Sequence, residues 1–100
     1  MAFEIFVHEL AQEELRRLRR FDQQRIIEAM EGQLTHEPAV PTRNRKSLVG
    51  LVPSFEHITP VWELRVGDFR VFYDVDAEKN RVHVRAIRFK QPDQQTGEIT

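Results

Sequence analysis

Residues 62–75 constrain the fold of this chain more than any other segment, because apolar and polar side chains alternate on both sides of Gly67 and Asp68. Alternation with a period of two is typical of β-strands that are buried on one face. A two-residue hairpin loop requires positive φ, which glycine adopts freely and aspartate tolerates better than most residues. The segment therefore predicts a β-hairpin whose loop is Gly67 and Asp68.

The register of this hairpin separates an apolar face from a charged one. On the apolar face, the predicted cross-strand pairs are Val66 with Phe69, Leu64 with Val71 and Trp62 with Tyr73. This parity assigns Tyr73 to the core. On the other face Arg65 lies opposite Arg70, and like charges in directly opposite positions are destabilising. Such a pair on a half-buried sheet indicates a site that receives an anion.

Two helices are predicted between an opening strand and a long loop. Residues 3–7 form the expected strand, and apolar side chains recur every three or four residues over 9–20, as on one face of a helix. Asp22 is the expected N-cap of a second helix, whose apolar stripe reaches Leu34. The short break between the two helices predicts an antiparallel helical hairpin.

A long loop is predicted over residues 36–60, which contain four prolines and no sustained periodicity. Loops longer than about 12–15 residues in compact domains are usually functional or mobile. This loop carries the basic residues Arg43, Arg45 and Lys46, which makes it a candidate binding segment.

The order of elements defines the expected fold class. A further strand is predicted over 81–89, and the polar tail from Gln91 ends in a short edge strand at residues 98 and 99. The order β-α-α-β-β-β predicts an α+β fold, in which a two-helix hairpin packs on one face of a mainly antiparallel sheet. With 100 residues, the chain is expected to form one domain over 1–100.

The charged face of the predicted sheet collects further candidate residues. Alternation in the last strand assigns its more apolar set to the core, namely Val82, Val84 and Ala86. Arg85 and His83 then join the arginine pair, and Phe72 is available for stacking on a base. Arginine holds phosphate through two parallel hydrogen bonds, and stacking is worth roughly 1–3 kcal/mol per base. The alternative is a solvated face on which Glu63 and Asp74 neutralise the arginines.

Composition excludes several kinds of site. The chain has no cysteine, so disulfides, thiolate zinc sites and cysteine nucleophiles are excluded, and a reducing cytoplasm is the expected location. The four histidines lack metal-ligand spacing, and no phosphate-binding glycine loop is present. We therefore expect no metal and no cofactor. No apolar run approaches the roughly 20 residues of a membrane span, so no membrane partner is expected.

The chain resembles the RelE/ParE superfamily, the toxin halves of bacterial type II toxin–antitoxin pairs. The resemblance rests on the order of elements, on the basic loop and above all on residues 63–73. It implies a cognate antitoxin that holds the toxin inactive. RelE-like members act on the ribosome and cleave mRNA without a metal, whereas ParE-like members share the fold and poison DNA gyrase.

The resemblance also implies roles for individual residues. Arg70 matches the central active-site arginine of the family, and Arg65 matches a basic position on the preceding strand, so both are candidate catalytic residues. The expected RNA-binding residues are Arg85, Arg43, Arg45, Lys46, Lys90, His83 and Phe72. Val61 and Glu63 stand where RelE has a lysine pair, and residues 99–100 stand where a catalytic tyrosine would lie. Translation inhibition by cleaving or binding mRNA is the expected function, with gyrase inhibition or an inactive protein-binding module as alternatives.

Overall fold

The computed structural model describes residues 2–100, which form an α+β fold. Its elements in chain order are β1 (Glu4–Val7), α1 (Glu9–Arg16), α2 (Arg20–Leu34), β2 (Arg45–Leu48), β3 (Val61–Val66), β4 (Phe69–Asp76), β5 (Arg81–Phe89) and a 3-10 helix (Thr96–Ile99). The described strands form one sheet in the order β1-β5-β4-β3-β2. Only the pair β1 and β5 is parallel among these strands, so the predicted mainly antiparallel sheet is confirmed.

The predicted hairpin of β3 and β4 is confirmed in its register and its turn. Arg65 lies opposite Arg70, and the three apolar pairs lie opposite one another as expected. Gly67 has a φ of 59°, in the left-handed region that favours glycine. A Cβ atom at this position would also lie 2.6 Å from Nη2 of Arg25 on α2. The backbone of the turn therefore favours glycine, and a larger residue would also require the guanidinium of Arg25 to shift.

The main core lies between the two helices and one face of the sheet. Its buried members are Ala11, Ile26, Met30, Leu34, Trp62, Leu64, Val66, Phe69, Val71, Tyr73, Val82, Val84 and Ile87. Tyr73 is a packing residue, as its parity predicted, and its hydroxyl donates a hydrogen bond of 2.7 Å to the carbonyl of Pro38. Burial raises the pKa of Tyr73 far above its ordinary value.

A smaller apolar cluster covers part of the opposite face, which we call the second face. Its buried members are Phe55, Val61, Phe72, Ala86 and Ile99. The segment before β3 supplies Phe55, and the C-terminal 3-10 helix supplies Ile99. Two segments that the sequence indicated as polar loop and tail thus fold over the sheet.

Four local predictions of element boundaries were wrong, the first being the end of α1, which lies at Arg16 and not at residue 20. Arg19 is the N-cap of α2, and Asp22 lies in the first turn, where a carboxylate also suits the helix dipole. The predicted loop contains β2, which is too short for its alternation to be recognised. Residues 98 and 99 belong to the 3-10 helix and not to an edge strand. Within residues 2–100, no helix is long and apolar enough to cross a membrane.

A β-bulge interrupts the pairing of β4 with β5. Phe72 lies opposite Ala86, but the next residue, Tyr73, lies opposite Val84. Arg85 is therefore an extra residue on β5 without a partner on β4. One extra residue reverses the alternation of every side chain beyond it.

The bulge overturns the predicted faces at the end of β5. Ala86 lies in the smaller cluster on the second face, and Ile87 lies in the main core, opposite to the assignment from alternation. Arg88 consequently comes to the second face, directly opposite Arg70. The consecutive apolar residues Ala86 and Ile87 are the sign of this change of phase in the sequence.

Candidate nucleic-acid interface

Three arginines lie side by side across β3, β4 and β5. Arg70 is flanked by Arg65 on one strand and by Arg88 on the other. Directly opposite residues place their Cβ atoms about 5 Å apart, so three like charges share one strip of the second face. We call these residues the arginine row. Arg88 takes the position that the sequence assigned to Arg85.

Arg70, at the centre of the row, is held by backbone carbonyls. Only 7% of the residue is exposed. Its Nη1 atom donates to the carbonyls of Gly67 and Phe69, at 2.8 and 2.9 Å. Burial lowers the pKa of Arg70 and Arg65 lowers it further, whereas Glu63 acts in the opposite direction. The guanidinium is thus fixed in orientation and stays charged at neutral pH.

Arg88 is neutralised by a carboxylate from the helical layer. Its Nε atom lies 2.5 Å from Oε2 of Glu14 on α1, and its Nη1 atom donates to the carbonyl of Ile99 at 3.0 Å. Glu14 also accepts the backbone N–H of Ile87 at 2.9 Å, beyond the end of β1. Arg88 and Glu14 therefore act as a structural pair that joins α1, β5 and the C-terminal segment.

Arg65 is the exposed member of the row, and it lines an open cavity of about 210 Å³. The other residues that line this cavity are Thr42, Arg43, Asn44, Arg45, Lys46 and Glu63. Strand β2 brings them there, because Lys46 pairs with Glu63 and the N–H of Arg65 donates to the carbonyl of Asn44 at 2.8 Å. We call this site the basic cavity. It joins the basic segment of the predicted loop to the charged face of the hairpin.

The basic cavity has a negative floor and a positive rim. Glu63 is the floor residue, since it is only 5% exposed, and its Oε2 atom accepts a hydrogen bond of 3.0 Å from the hydroxyl of Thr96. Lys46 Nζ lies 3.7 Å from the other carboxylate oxygen. Arg43, Lys46 and Arg65 are exposed and form the rim.

Arg45 does not take part in this rim. It is buried, and its Nη1 atom donates to the carbonyl of Gln33 near the C-terminal end of α2. The prediction of a surface contact at Arg45 is therefore wrong. The alternation of β2 places Arg45 toward the helices, and the cationic group satisfies a carbonyl of the last helical turn.

Phe72 is also unavailable as a stacking platform. Its side chain is 0% exposed, and its ring centroid lies 5.7 Å from that of Phe55. The predicted face was correct, but the smaller cluster covers it. The expectation that Phe72 meets a base is wrong for this reason.

Arg85 lies in a buried ion pair and not in the arginine row. Its Nε and Nη2 atoms donate to the two carboxylate oxygens of Asp74 at 2.8 and 3.2 Å. Its Nη1 atom donates to Glu56 at 3.1 Å. The alternative in which Asp74 neutralises an arginine is thus correct here, and the placement of Arg85 beside Arg65 and Arg70 is wrong.

His83 lies with this ion pair and far from the basic cavity. It is opposite Asp74, which lies four residues along β4 from Arg70, or about 13 Å at the usual rise per residue. Nδ1 of His83 lies 2.8 Å from Nε2 of His8. Burial lowers the pKa of His8, and Arg85 and His83 lower it further. The histidine pair therefore offers no proton donor to the arginine row.

Lys90 lies at the hairpin end of the sheet. Its backbone N–H donates to the carbonyl of Asp68 at 2.8 Å, just beyond the pairing of Phe89 with Phe69. Among residues 2–100, no group of three or more metal-ligating side chains could hold a metal ion.

Comparison with known proteins identifies the family. A sequence model of the ParE toxin of the type II toxin–antitoxin system parDE matches residues 5–91. No curated protein sequence matches the chain. The solved RelBE2 toxin–antitoxin complex from Mycobacterium tuberculosis contains a similar chain, with a TM-score of 0.68, 18% identity, and coverage of 90% of this chain and 100% of the other.

An archaeal RelE–RelB complex from Pyrococcus horikoshii OT3 also contains a similar chain. Its TM-score is 0.67 at 19% identity, with coverage of 92% of this chain and 99% of the other. At these identities the two structures support the fold, and the family match covers most of the sequence. The chain therefore belongs to the ParE toxin family and is the toxin of a type II toxin–antitoxin system.

Proposed function

We propose that this toxin inhibits translation by binding mRNA on the ribosome, with RNA phosphates held at the rim of the basic cavity. The observation that supports the proposal is the convergence of Arg43, Lys46 and Arg65 on one open cavity. Arg85 and Arg88 on β5, by contrast, already have carboxylate partners. As a type II toxin, the chain has a cognate antitoxin as its partner.

Each rim residue suits a phosphate. The guanidinium of Arg65 can form two parallel hydrogen bonds to phosphate oxygens. Lys46 lies 3.7 Å from Glu63, beyond the usual hydrogen-bond distance, so an exchange of partners costs little. Bound phosphate would also relieve the repulsion between Arg65 and Arg70, because the buried Arg70 cannot turn away.

The chemistry supported by this geometry is binding and charge stabilisation. Arg65 and Arg70 could stabilise the charge of a phosphate under attack by a 2′-hydroxyl. Such an attack also needs a base and an acid within hydrogen-bond reach. Among the described residues that line the cavity, Glu63 is the one carboxylate, and none is a histidine or tyrosine. The proposal therefore rests on RNA binding, and cleavage is measured separately.

The experiment compares protein and DNA synthesis after induction of the toxin in bacteria. Pulse labelling should show that protein synthesis falls first. Arg65→Gln should relieve the block, whereas Arg17→Gln, at an exposed arginine that caps the end of α1, should not. Mapping of mRNA 5′ ends on ribosomes then reports cleavage. Loss of DNA synthesis with translation intact would refute the proposal.

The second candidate function is inhibition of DNA gyrase. The observation that favours it is the match of residues 5–91 to the sequence model of the ParE toxin, since the ParE-like members of the superfamily poison gyrase. On this alternative, the basic cavity docks a partner by charge. A supercoiling assay with purified gyrase distinguishes the two, since only this alternative predicts inhibition without ribosomes.

A further inference from the structure

The basic cavity has the size and polarity of a site for one nucleobase. Its volume of about 210 Å³ lies below the roughly 300–1,000 Å³ of pockets that enclose drug-sized ligands. The negative floor at Glu63 disfavours a phosphate inside the cavity, whereas the positive rim favours a phosphate outside it. This arrangement of charges matches a nucleotide whose base lies inside the cavity and whose phosphate lies at the rim.

Glu63 retains capacity to accept hydrogen bonds from such a base. A carboxylate has two oxygens with about four lone-pair positions. The hydroxyl of Thr96 uses one position on Oε2, and Lys46 Nζ is 3.7 Å from Oε1, beyond hydrogen-bond distance. Because Thr96 holds the carboxylate in place, its remaining positions are fixed before a ligand arrives.

Resting on the proposed function, we propose that Glu63 selects guanine at this position of the bound RNA. Guanine presents two neighbouring donors, N1–H and the N2 amino group, which match the two oxygens of a carboxylate. Adenine and cytosine each offer one amino group beside an acceptor nitrogen. Uracil offers one N–H between two carbonyl oxygens, which the carboxylate repels. Single-stranded RNA is commonly read through these edges of unstacked bases.

The rim residues would hold the phosphates next to this base. Arg43, Lys46 and Arg65 are the exposed basic residues of the cavity lining, where they can meet phosphate oxygens. Phosphate contacts position the nucleic acid and base contacts supply the specificity. Substitution of Glu63 should therefore change the preference among bases, whereas substitution of a rim residue should change the affinity for all of them.

The test is a titration of the purified full chain with fluorescein-labelled ribotrinucleotides UGU, UAU, UCU and UUU. UGU should bind roughly 10-fold tighter than UUU, as for other bidentate contacts between a side chain and a base, with UAU and UCU between them. Glu63→Gln replaces one acceptor by a donor and should reduce the preference to about 2-fold or less. Glu63→Asp, which withdraws the carboxylate, should reduce it in part.

Arg65→Gln is the matched control, because it removes a phosphate contact. It should weaken all four trinucleotides by a similar factor and leave their ratio unchanged. Equal binding of the four by the unmodified chain, or a guanine preference that survives in Glu63→Gln, overturns the role of Glu63 and leaves the proposed function standing. Absence of binding for all four overturns the nucleobase site at the cavity, and with it the role of Glu63. Thermal unfolding of each variant verifies that it is folded.

Discussion

Removal of Asp74 should destabilise this toxin more than removal of any surface carboxylate. Asp74 is 2% exposed, and its carboxylate accepts two hydrogen bonds from the buried Arg85 and one of 3.0 Å from the N–H of Ile58. In Asp74→Leu the guanidinium of Arg85 remains buried with only the exposed Glu56 as its partner. An uncompensated buried charge is strongly unfavourable.

The expected loss in the free energy of unfolding is about 3–5 kcal/mol, the usual cost of removing one partner of a buried ion pair. Unfolding of a domain of this size costs roughly 5–15 kcal/mol in total. Each kcal/mol lowers the midpoint of thermal unfolding by about 4–8 °C in a domain of 60–100 residues. Asp74→Leu should therefore lower this midpoint by at least about 12 °C.

The assay is urea unfolding of Asp74→Leu, Arg85→Met and the double variant. Because each single variant leaves one buried partner unpaired, the double variant should be more stable than the sum of the two losses predicts, by at least about 1 kcal/mol. Asp76→Ala is the matched control, since its carboxylate is partly exposed and accepts the backbone N–H of Lys79 near the end of β4. Strict additivity of the two single variants would refute the argument from ion pairing.

Two further outcomes follow from the turn and from the histidine pair. Gly67→Ala should lower the free energy of unfolding in urea by at least about 1 kcal/mol, because φ is positive and the new methyl meets Arg25. Adding Arg25→Ala to the same chain should recover only the part of this loss that is due to the contact. An equal cost with and without Arg25 would refute the contact. The pKa of His8 lies below its ordinary value because of burial, Arg85 and His83, with Glu56 and Asp74 opposing. The unfolded chain therefore binds the proton more readily, so stability should fall as pH decreases below about 6.5. His8→Gln should remove the part of the pH dependence of thermal stability that is due to His8. A pH profile unchanged by this substitution would contradict the assignment to His8.

The hairpin could be predicted from sequence because its information is local. A period of two runs through both strands, and the turn residues fix the register between them. The opposition of Arg65 and Arg70 followed directly. The bulge was missed, although the consecutive apolar residues Ala86 and Ile87 break the alternation of β5 next to the extra residue Arg85. The omission of Arg88 has this cause, whereas the error in Arg85 concerns its position along β5, which brings it to Asp74 and not to Arg70.

The candidate site was harder to predict because it depends on contacts between distant segments. Strand β2 has four residues, too few for a reliable period, yet its pairing with β3 brings Lys46 to Glu63. The burial of Phe72 depends on Phe55 and Ile99, which lie in segments without periodicity. Sequence patterns assign side chains to faces, but they do not show which faces are covered.

The position of β2 at the edge of the sheet has a consequence for the dynamics of the site. An edge strand of four residues is held on one side only, so it belongs to the part of a fold that opens locally at low free energy. Lys46 and its neighbours can thus leave the cavity while the hairpin of β3 and β4 stays folded. A ligand that bridges Lys46 and Arg65 would slow amide exchange along β2. Binding at the cavity and local folding of β2 would then be thermodynamically coupled.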